Sequence, residues 1–332
     1  MSSVLKDRIV VSTSPFLHSS QSTASIMWEV VYTLIPFVIA AYYFFGLGAL
    51  AVIIASIAGC FSAEFIFNSS NKSRSLRDGS ALITGILLAL TLPPGFPLWM
   101  SFTGGFVAIG MGKMMWGGLG QNVFNPALLG RAFLQAAFPT AITTWSAPDG
   151  NYFFLRGTNA ALPFFQSQNV DAISSATPLA QMKFEHAVTP VSKLFLGSIA
   201  GSLGETSALL LILAGIYLLW RKLINWRIPF AIISTVVIFS GIVWLLDHNY
   251  PTPLFMILSG GLLLGTVYMA TDLVTSPITP RGLWIYGIGI GLLVVLIRLW
   301  GGLPEGVMYA ILLMNAATPL INRFTKIKPY GH

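Results

Sequence analysis

The chain has very few of the residues that soluble enzymes use for chemistry. Only 9% of its 332 residues are charged, and Cys60 is the single cysteine. An intrachain disulfide, a Cys-x-x-Cys metal site and a self-contained iron–sulfur cluster are therefore excluded. The four histidines, His18, His186, His248 and His332, lie in polar loops or tails, which leaves no intramembrane pair for haem. No G-x-G-x-x-G or P-loop pattern occurs, so nicotinamide or ATP has to be bound by another protein, and no metal site is predicted.

Apolar residues dominate instead. They make up 55% of the chain, and the mean hydropathy is +0.76. Soluble proteins are about a quarter charged, so this composition indicates an all-α integral membrane protein. A helix needs about 20 apolar residues to span a bilayer. Eight segments approach that length and two shorter ones adjoin Pro and Gly clusters, giving about ten transmembrane helices: 28–45, 49–67, 98–115, 206–220, 228–246, 254–270, 283–299 and 303–320, with 80–92 and 125–138 as the short pair.

The basic residues predict the orientation of these helices. With the N-terminus in the cytoplasm, 14 of the 18 basic residues fall on the inner side, and only Arg156, Lys183, Lys193 and Arg298 fall outside. The positive-inside rule then places both termini in the cytoplasm, as an even number of helices requires. The basic residues that orient the helices also account for the net charge of +7, so this charge does not indicate that the protein binds nucleic acid.

An internal repeat divides the membrane region. A Pro-rich turn, an apolar helix and a Trp-Gly-Gly-Leu motif occur in both halves, with 23 residues from Pro94 to Gly117 and 24 from Pro277 to Gly301. Five helices per half is an odd number, so the second copy enters from the opposite face and forms an inverted repeat with short or broken helices. The predicted units are an N-terminal segment 1–27, a first repeat 28–138, an outer loop segment 139–192, a second repeat 193–322 and a cytoplasmic tail 323–332.

The outer segment contains Asp171-Ala172-Ile173-Ser174-Ser175-Ala176-Thr177. Small neighbours leave the Thr177 hydroxyl accessible to a second enzyme, and Pro178 favours an extended backbone at Thr177. The heptapeptide resembles the D-x-x-[S/T]-x-A-T signature at which a flavin transferase joins FMN to threonine by a phosphodiester bond. This resemblance implies covalent FMN on Thr177, with recognition by the transferase through Asp171, Ser174, Ser175 and Ala176.

A glycine-rich stretch precedes the short predicted helix 125–138. The side-chain amides of Asn122 and Asn125 can donate and accept hydrogen bonds toward a flavin ring. Asn125 before Pro126 also predicts a helix N-cap. Read from the residues alone, the two asparagines satisfy backbone groups at a broken helix. The stretch is similar to the G-G-x-G-x-N-x-x-N-P-A-x-x-G-R motif of the RnfD/NqrB family, which implies a second, non-covalent riboflavin. The candidate riboflavin residues are Gly117, Gly118, Gly120, Asn122, Asn125 and Arg131.

The same family resemblance extends over about residues 25–325, including 76–81 and 270–277. About 27 residues precede the first predicted helix, whereas NqrB-like chains carry a longer extension, which favours RnfD. The resemblance implies a subunit of a complex in the bacterial or archaeal inner membrane that passes electrons between ferredoxin-fed centres and NAD+ and moves Na+ or H+. Expected partners are iron–sulfur subunits, an FMN-bearing RnfG-like subunit, the flavin transferase and the bilayer.

Acidic residues near membrane depth are usually functional. Asp78 and Asp272, at the inner ends of the third and eighth predicted helices, are the ion-path candidates, although interface placement competes with that role. Glu29, Glu64 and Glu205 are expected at solvated helix boundaries. Three alternatives stay open: an NqrB-like subunit of a sodium-translocating NADH:quinone oxidoreductase, a small-solute channel or transporter that does not need Thr177, and a cofactor-free scaffold.

Overall fold

The computed structural model describes residues 22–68, 76–148, 152–153, 157–162, 175–185, 187, 189–197, 199–205 and 207–326. Every regular element in those ranges is helical, as the composition predicted. The main helices are α1 (Thr23–Phe45), α2 (Leu47–Phe67), α3 (Ser80–Leu90), α4 (Leu98–Gly112), α5 (Pro126–Ala137), α6 (Ala208–Trp220), α7 (Arg227–Leu246), α8 (Pro253–Leu258), α9 (Pro280–Trp300) and α10 (Val307–Phe324). Short helical turns occupy Met114–Trp116, Pro139–Thr143, Gly157–Ala160, Pro178–Ala180, Gln181–Glu185, Val191–Leu196, Leu262–Leu264 and Gly265–Met269.

Nine of the ten predicted segments correspond to one main helix each. The prediction of a continuous helix over 254–270 is wrong. The chain breaks after α8 at Gly260, whose φ of 66° ends the helix, and resumes as Leu262–Leu264 and one π-helical turn. The break is stable because long-range partners satisfy its backbone: Arg298 donates to the Ser259 carbonyl and Glu305 accepts from the Gly261 N–H.

Among the residues that the structure describes, four helices are long and apolar enough to cross a membrane, namely α1, α2, α7 and α9, with 20 to 23 residues each. The apolar helices α3 and α6 are shorter, with 11 and 13 residues. At 1.5 Å per residue, neither reaches across a hydrocarbon layer of about 30 Å. A helix end within that layer needs partners for its free carbonyl groups, because no water is available there.

Non-helical backbone supplies those partners at the end of α3. The N–H of Gly204 donates to the Leu90 carbonyl at 2.7 Å, and the N–H of Leu203 donates to the Leu92 carbonyl at 3.1 Å. Gly204 leaves no room for a side chain, because a Cβ there would lie 2.9 Å from the Cβ of Leu90. The segment 199–205 is thus buried against protein, where irregular backbone is tolerated.

Glycines bring the second and fourth main helices of each half together. A Cβ at Gly59 or Gly105 would overlap a backbone carbonyl of the opposing helix, so α2 and α4 can pack this closely only without side chains there. In the second half, Gly287 and Gly291 of α9 give the same close approach to α7. Small residues are the usual means by which membrane helices pack, since lipid provides no hydrophobic drive between them.

Candidate functional site

A cavity lies between the two halves, bounded by α1, α3, the loop before α5, the end of α6 and the segment 267–274. Its empty volume is about 890 Å³, counting the part that is open to the outside. The walls are mostly apolar. The polar side chains that face it include Lys113, Asn122, Asn125, Tyr268 and Asp272. We call this space the inner cavity.

The two predicted flavin-binding asparagines both line the inner cavity. Asn125 caps α5, as predicted, because its Oδ1 accepts from the N–H groups of Ala127 and Leu128 at 3.1 and 3.3 Å. Its Nδ2 donates to the Met269 carbonyl at 3.3 Å. Asn122 makes a longer bond to the Phe124 carbonyl at 3.4 Å and lies beside the Asp272 carboxyl. Asn125 is therefore held by the protein, and Asn122 is the more available of the two for a ligand.

The other riboflavin candidates lie outside the wall of this cavity. Gly117, Gly118 and Gly120 have φ values of 107°, 103° and 90°, which favour glycine, and they form the loop that brings Leu119 and Asn122 to the cavity. Gly118 and Gly120 have open space where a side chain would project. Arg131 is paired with Glu305 and does not line the cavity.

A buried ion pair adjoins the inner cavity. Lys113 donates to Glu64 at 2.5 Å and to the Ser80 hydroxyl at 2.7 Å, and its Nζ lies 4.0 Å from an oxygen of Asp78. The expectation that Glu64 is a solvated boundary residue is wrong, because its exposed fraction is 0%. Glu64 lies one helical turn inside the end of α2, where α4 delivers Lys113 to it. Lys113 was not predicted as a site residue.

The two ion-path candidates have similar local geometry. Asp78 accepts from the backbone N–H and the hydroxyl of Ser80 at 2.8 and 2.7 Å. Asp272 accepts from the N–H of Val274 at 3.2 Å and from the Thr275 hydroxyl at 3.3 Å. Both carboxyl groups thus stabilise a turn. Asp272 also faces the inner cavity, so the structure brings it together with Asn122 and Asn125.

A second ionic cluster lies between the halves and was not predicted from the sequence. Arg131 pairs with Glu305 at 2.9 Å, and Glu305 accepts from the Gly261 N–H at 2.6 Å. Arg298 donates to the carbonyls of Met256 and Ser259 at 2.5 and 3.0 Å. Glu205 faces this group with an exposed fraction of 8%, so the expectation that Glu205 is a solvated boundary residue is also wrong. We call Arg131, Glu205, Arg298 and Glu305 the interior cluster.

Glu29 is the third carboxyl group that was expected at a solvated helix boundary. Glu29 pairs with Arg221, and both side chains are partly exposed, as expected for an ion pair at a membrane boundary. Such exposed pairs contribute little to stability.

Thr177 caps the short helical turn Pro178–Ala180. Its backbone is extended, with φ −67° and ψ 155°, as Pro178 predicted. The Thr177 hydroxyl accepts from the Ala180 N–H at 3.2 Å, and Thr177 is half-buried. The N–H of Ser175 donates to the Trp145 carbonyl at 2.9 Å, and Ala176 is exposed. Asp171 and Ser174 lie outside the described residues.

A second cavity follows Thr177 along the chain. Leu179, Met182 and Lys183 line it, together with Asn249 and Arg298, and its empty volume is about 840 Å³, part of it open to the outside. Lys183 donates to the carbonyls of Arg298, Gly301 and Leu303 at the end of α9. Partial burial lowers the pKa of Lys183 below the ordinary lysine value. We call this space the outer cavity.

The apolar helices, the buried ion pairs and the two cavities define an integral membrane protein whose interior holds charges and leaves room for ligands. The profile of the NQR2, RnfD, RnfE family matches residues 10–331, and the chain belongs to this family.

Relatives of nearly the same length agree with that assignment. The chain is 41% identical over 343 residues to the D subunit of the proton-translocating ferredoxin:NAD(+) oxidoreductase complex of Clostridium ljungdahlii, covering 99% of the chain and 98% of that protein. It is 40% identical over 328 residues to the D subunit of the Na(+)-translocating ferredoxin:NAD(+) oxidoreductase complex of Acetobacterium woodii, covering 97% and 95%. It is also 40% identical over 329 residues to the D subunit of the ion-translocating oxidoreductase complex of Stutzerimonas stutzeri, covering 93% and 92%.

Proposed function

We propose that this chain is the RnfD-type subunit of an Rnf-type ferredoxin:NAD+ oxidoreductase complex that moves ions across a bacterial or archaeal cytoplasmic membrane. The observation that carries the proposal is the similarity to the D subunits of such complexes along almost the whole of both chains. The chain would assemble with iron–sulfur subunits and with an FMN-bearing RnfG-like subunit.

The activity can be tested in membrane vesicles. A complex purified through an affinity tag on this chain should form NADH from NAD+ and reduced ferredoxin, and vesicles that contain it should build an ion gradient during the reaction. A purified complex that contains all its subunits and shows no ferredoxin-dependent NADH formation would contradict the proposal.

The chain is further proposed to carry FMN on Thr177. Three features support the attachment: the hydroxyl lies in extended backbone, its neighbours Ser175 and Ala176 are small, and the outer cavity begins two residues later at Leu179. The half-buried hydroxyl contacts one backbone N–H, so a transferase can reach it by opening a single turn. A bound flavin would supply one- and two-electron redox chemistry.

In-gel fluorescence distinguishes this proposal from the channel and scaffold alternatives. The denatured wild-type band should fluoresce yellow under ultraviolet light when the host contains the flavin transferase. The Thr177→Ala band should be dark, whereas a Thr189→Ala control in the same outer segment should fluoresce like the wild type. Equal fluorescence of all three bands would place the flavin elsewhere.

A non-covalent riboflavin is proposed for the inner cavity. The walls of the cavity are mostly apolar, and Asn122 and Asn125 offer amide groups at one side. This pattern of apolar walls with a few convergent polar groups is typical of ligand pockets. Asn122, which makes a long bond to the Phe124 carbonyl and lies beside the Asp272 carboxyl, would contact the ring, and Asn125 would position the loop.

The proposed architecture is an inverted repeat of two five-helix units, α1–α5 and α6–α10, with both termini in the cytoplasm. Two observations support the repeat: the second and fourth helices of each unit pack through glycines, and each unit contains a helix that ends inside the protein. The asymmetry of the basic residues supports the orientation, with Thr177 on the extracytoplasmic side.

A further inference from the structure

The carboxyl groups of Glu205 and Glu305 converge on one point inside the protein. We call them the carboxyl pair. A Cβ placed on Gly261 would lie 2.6 Å from Oε1 of Glu305 and 3.2 Å from Oε1 of Glu205. The Gly261 N–H already donates to Glu305 at 2.6 Å. Two acidic oxygens therefore share the small space at the break that follows α8.

The cations near Glu205 are engaged with other acceptors. Arg131 donates to Glu305, and Arg298 donates to the carbonyls of Met256 and Ser259. Lys183 donates to carbonyl groups at the end of α9. Within the part of the chain that the structure describes, Oε1 of Glu205 has no hydrogen-bond donor, although Glu205 is more than nine-tenths buried.

A buried carboxylate oxygen without a donor is unfavourable, and a second carboxylate beside it adds repulsion. A proton on Glu205 removes both penalties, because the resulting O–H group can donate to Glu305 while Glu305 stays ionised for Arg131. Carboxyl groups placed this closely characteristically share one proton. The buried carboxyl group of Glu64 differs from that of Glu205, because Lys113 donates to Glu64 and balances its charge.

We propose that Glu205 and Glu305 share one exchangeable proton and that Glu205 is the group that takes it up from, and releases it to, water. The uptake converts the Glu205 carboxylate and one H+ into a carboxylic acid that is hydrogen-bonded to Glu305, and no electron is transferred. The shared proton does not depend on the flavin sites. Its use as a step in ion translocation rests on the proposed function.

Infrared difference spectroscopy of the intact complex tests the shared proton. The wild-type spectrum should contain a protonated-carboxyl C=O band that shifts in D₂O, and this band should be absent from Glu205→Gln. Glutamine can donate from its amide to Glu305, so the fold should be retained. The control Glu29→Gln should keep the band, because Glu29 lies outside the carboxyl pair, in a partly exposed ion pair with Arg221. Identical spectra for wild type and Glu205→Gln would overturn the proposal.

A sodium titration at constant pH separates proton binding from cation binding. The band should be unchanged by Na+ if the pair binds only a proton. Loss of the band on addition of Na+ would overturn the assignment in favour of a sodium site. Vesicle assays distinguish the two proposals: Glu205→Gln should keep ferredoxin-dependent NADH formation and lose ion transport. Absence of NADH formation in the wild type would contradict the proposed function and leave the infrared result intact.

Discussion

The side-chain amide of Asn125 donates to the carbonyl oxygen of Met269 at 3.3 Å, and its oxygen caps α5 through the N–H groups of Ala127 and Leu128. One residue thus joins the last helix of the first half to the π-helical turn of the second half. Both bonds lie at the wall of the inner cavity, so the shape of that cavity depends on how the two halves are held together.

Asn125→Ala should lower the stability of the complex by about 1–3 kcal/mol, because it removes a helix cap and a buried donor. Asn125→Ser keeps a capping oxygen but cannot reach Met269, so its loss should be smaller by about 1 kcal/mol. Thermal unfolding of the purified complexes measures both changes. Equal destabilisation by the two variants would mean that the cap contributes nothing here.

Asn122→Ala should release riboflavin with a smaller loss of thermal stability than Asn125→Ala, because the bond from Asn122 to the Phe124 carbonyl is long and Asn122 caps no helix. Loss of a hydrogen bond between ligand and buried amide costs about 1–3 kcal/mol, or roughly a five- to hundredfold weaker retention. Acid-extractable flavin per complex is the measurement, and the exposed neighbour Gln121→Ala is the control. Stoichiometric flavin in the Asn122→Ala, Asn125→Ser double variant would show that these residues only support a helix start.

Lys113→Met should be strongly destabilising, by about 3–5 kcal/mol, because it leaves the Glu64 carboxylate buried without its cation. The double variant Lys113→Met, Glu64→Leu should recover most of the loss, since both charges are then absent. Thermal midpoints of the two complexes give the comparison. If Lys113→Met unfolds at the wild-type temperature, Glu64 is not ionised in the native protein.

Cysteine labelling tests the orientation. Thr158 and Lys326 are exposed, and the native Cys60 is fully buried, so background labelling should be low. A membrane-impermeant maleimide should label Thr158→Cys in intact cells and should label Lys326→Cys only after the membrane has been opened. The opposite pattern would invert the topology and place Thr177 in the cytoplasm.

Local features of the site followed from the sequence because they depend on adjacent residues. The cap at Asn125 and the extended backbone at Thr177 are each set by the following proline. The partners of the buried charges did not follow, because they come from distant helices. Lys113 and Glu64 are 49 positions apart, and Glu305 is 174 positions from its partner Arg131. Lys113, Glu64 and Glu305 each lie near the end of a predicted helix. Hydropathy alone places such positions at the solvated boundary of the membrane.

The break after α8 carried a signal in the sequence, the pair Gly260 and Gly261, but the apolar residues on both sides favoured a continuous helix. What stabilises the break is Arg298 and Glu305, which bond the backbone on either side of it. Those two residues come from the end of α9 and from the loop just before α10, so only the packed structure reveals their role.

The proposed redox role of this chain depends above all on a flavin at Thr177, and mass spectrometry of the peptide that contains Thr177, taken from native, active complex, tests this directly. We expect a peptide heavier by one FMN joined through a phosphodiester bond, with fragment ions that locate the added mass on Thr177. An unmodified Thr177 peptide from complex that still oxidises ferredoxin would contradict the proposal.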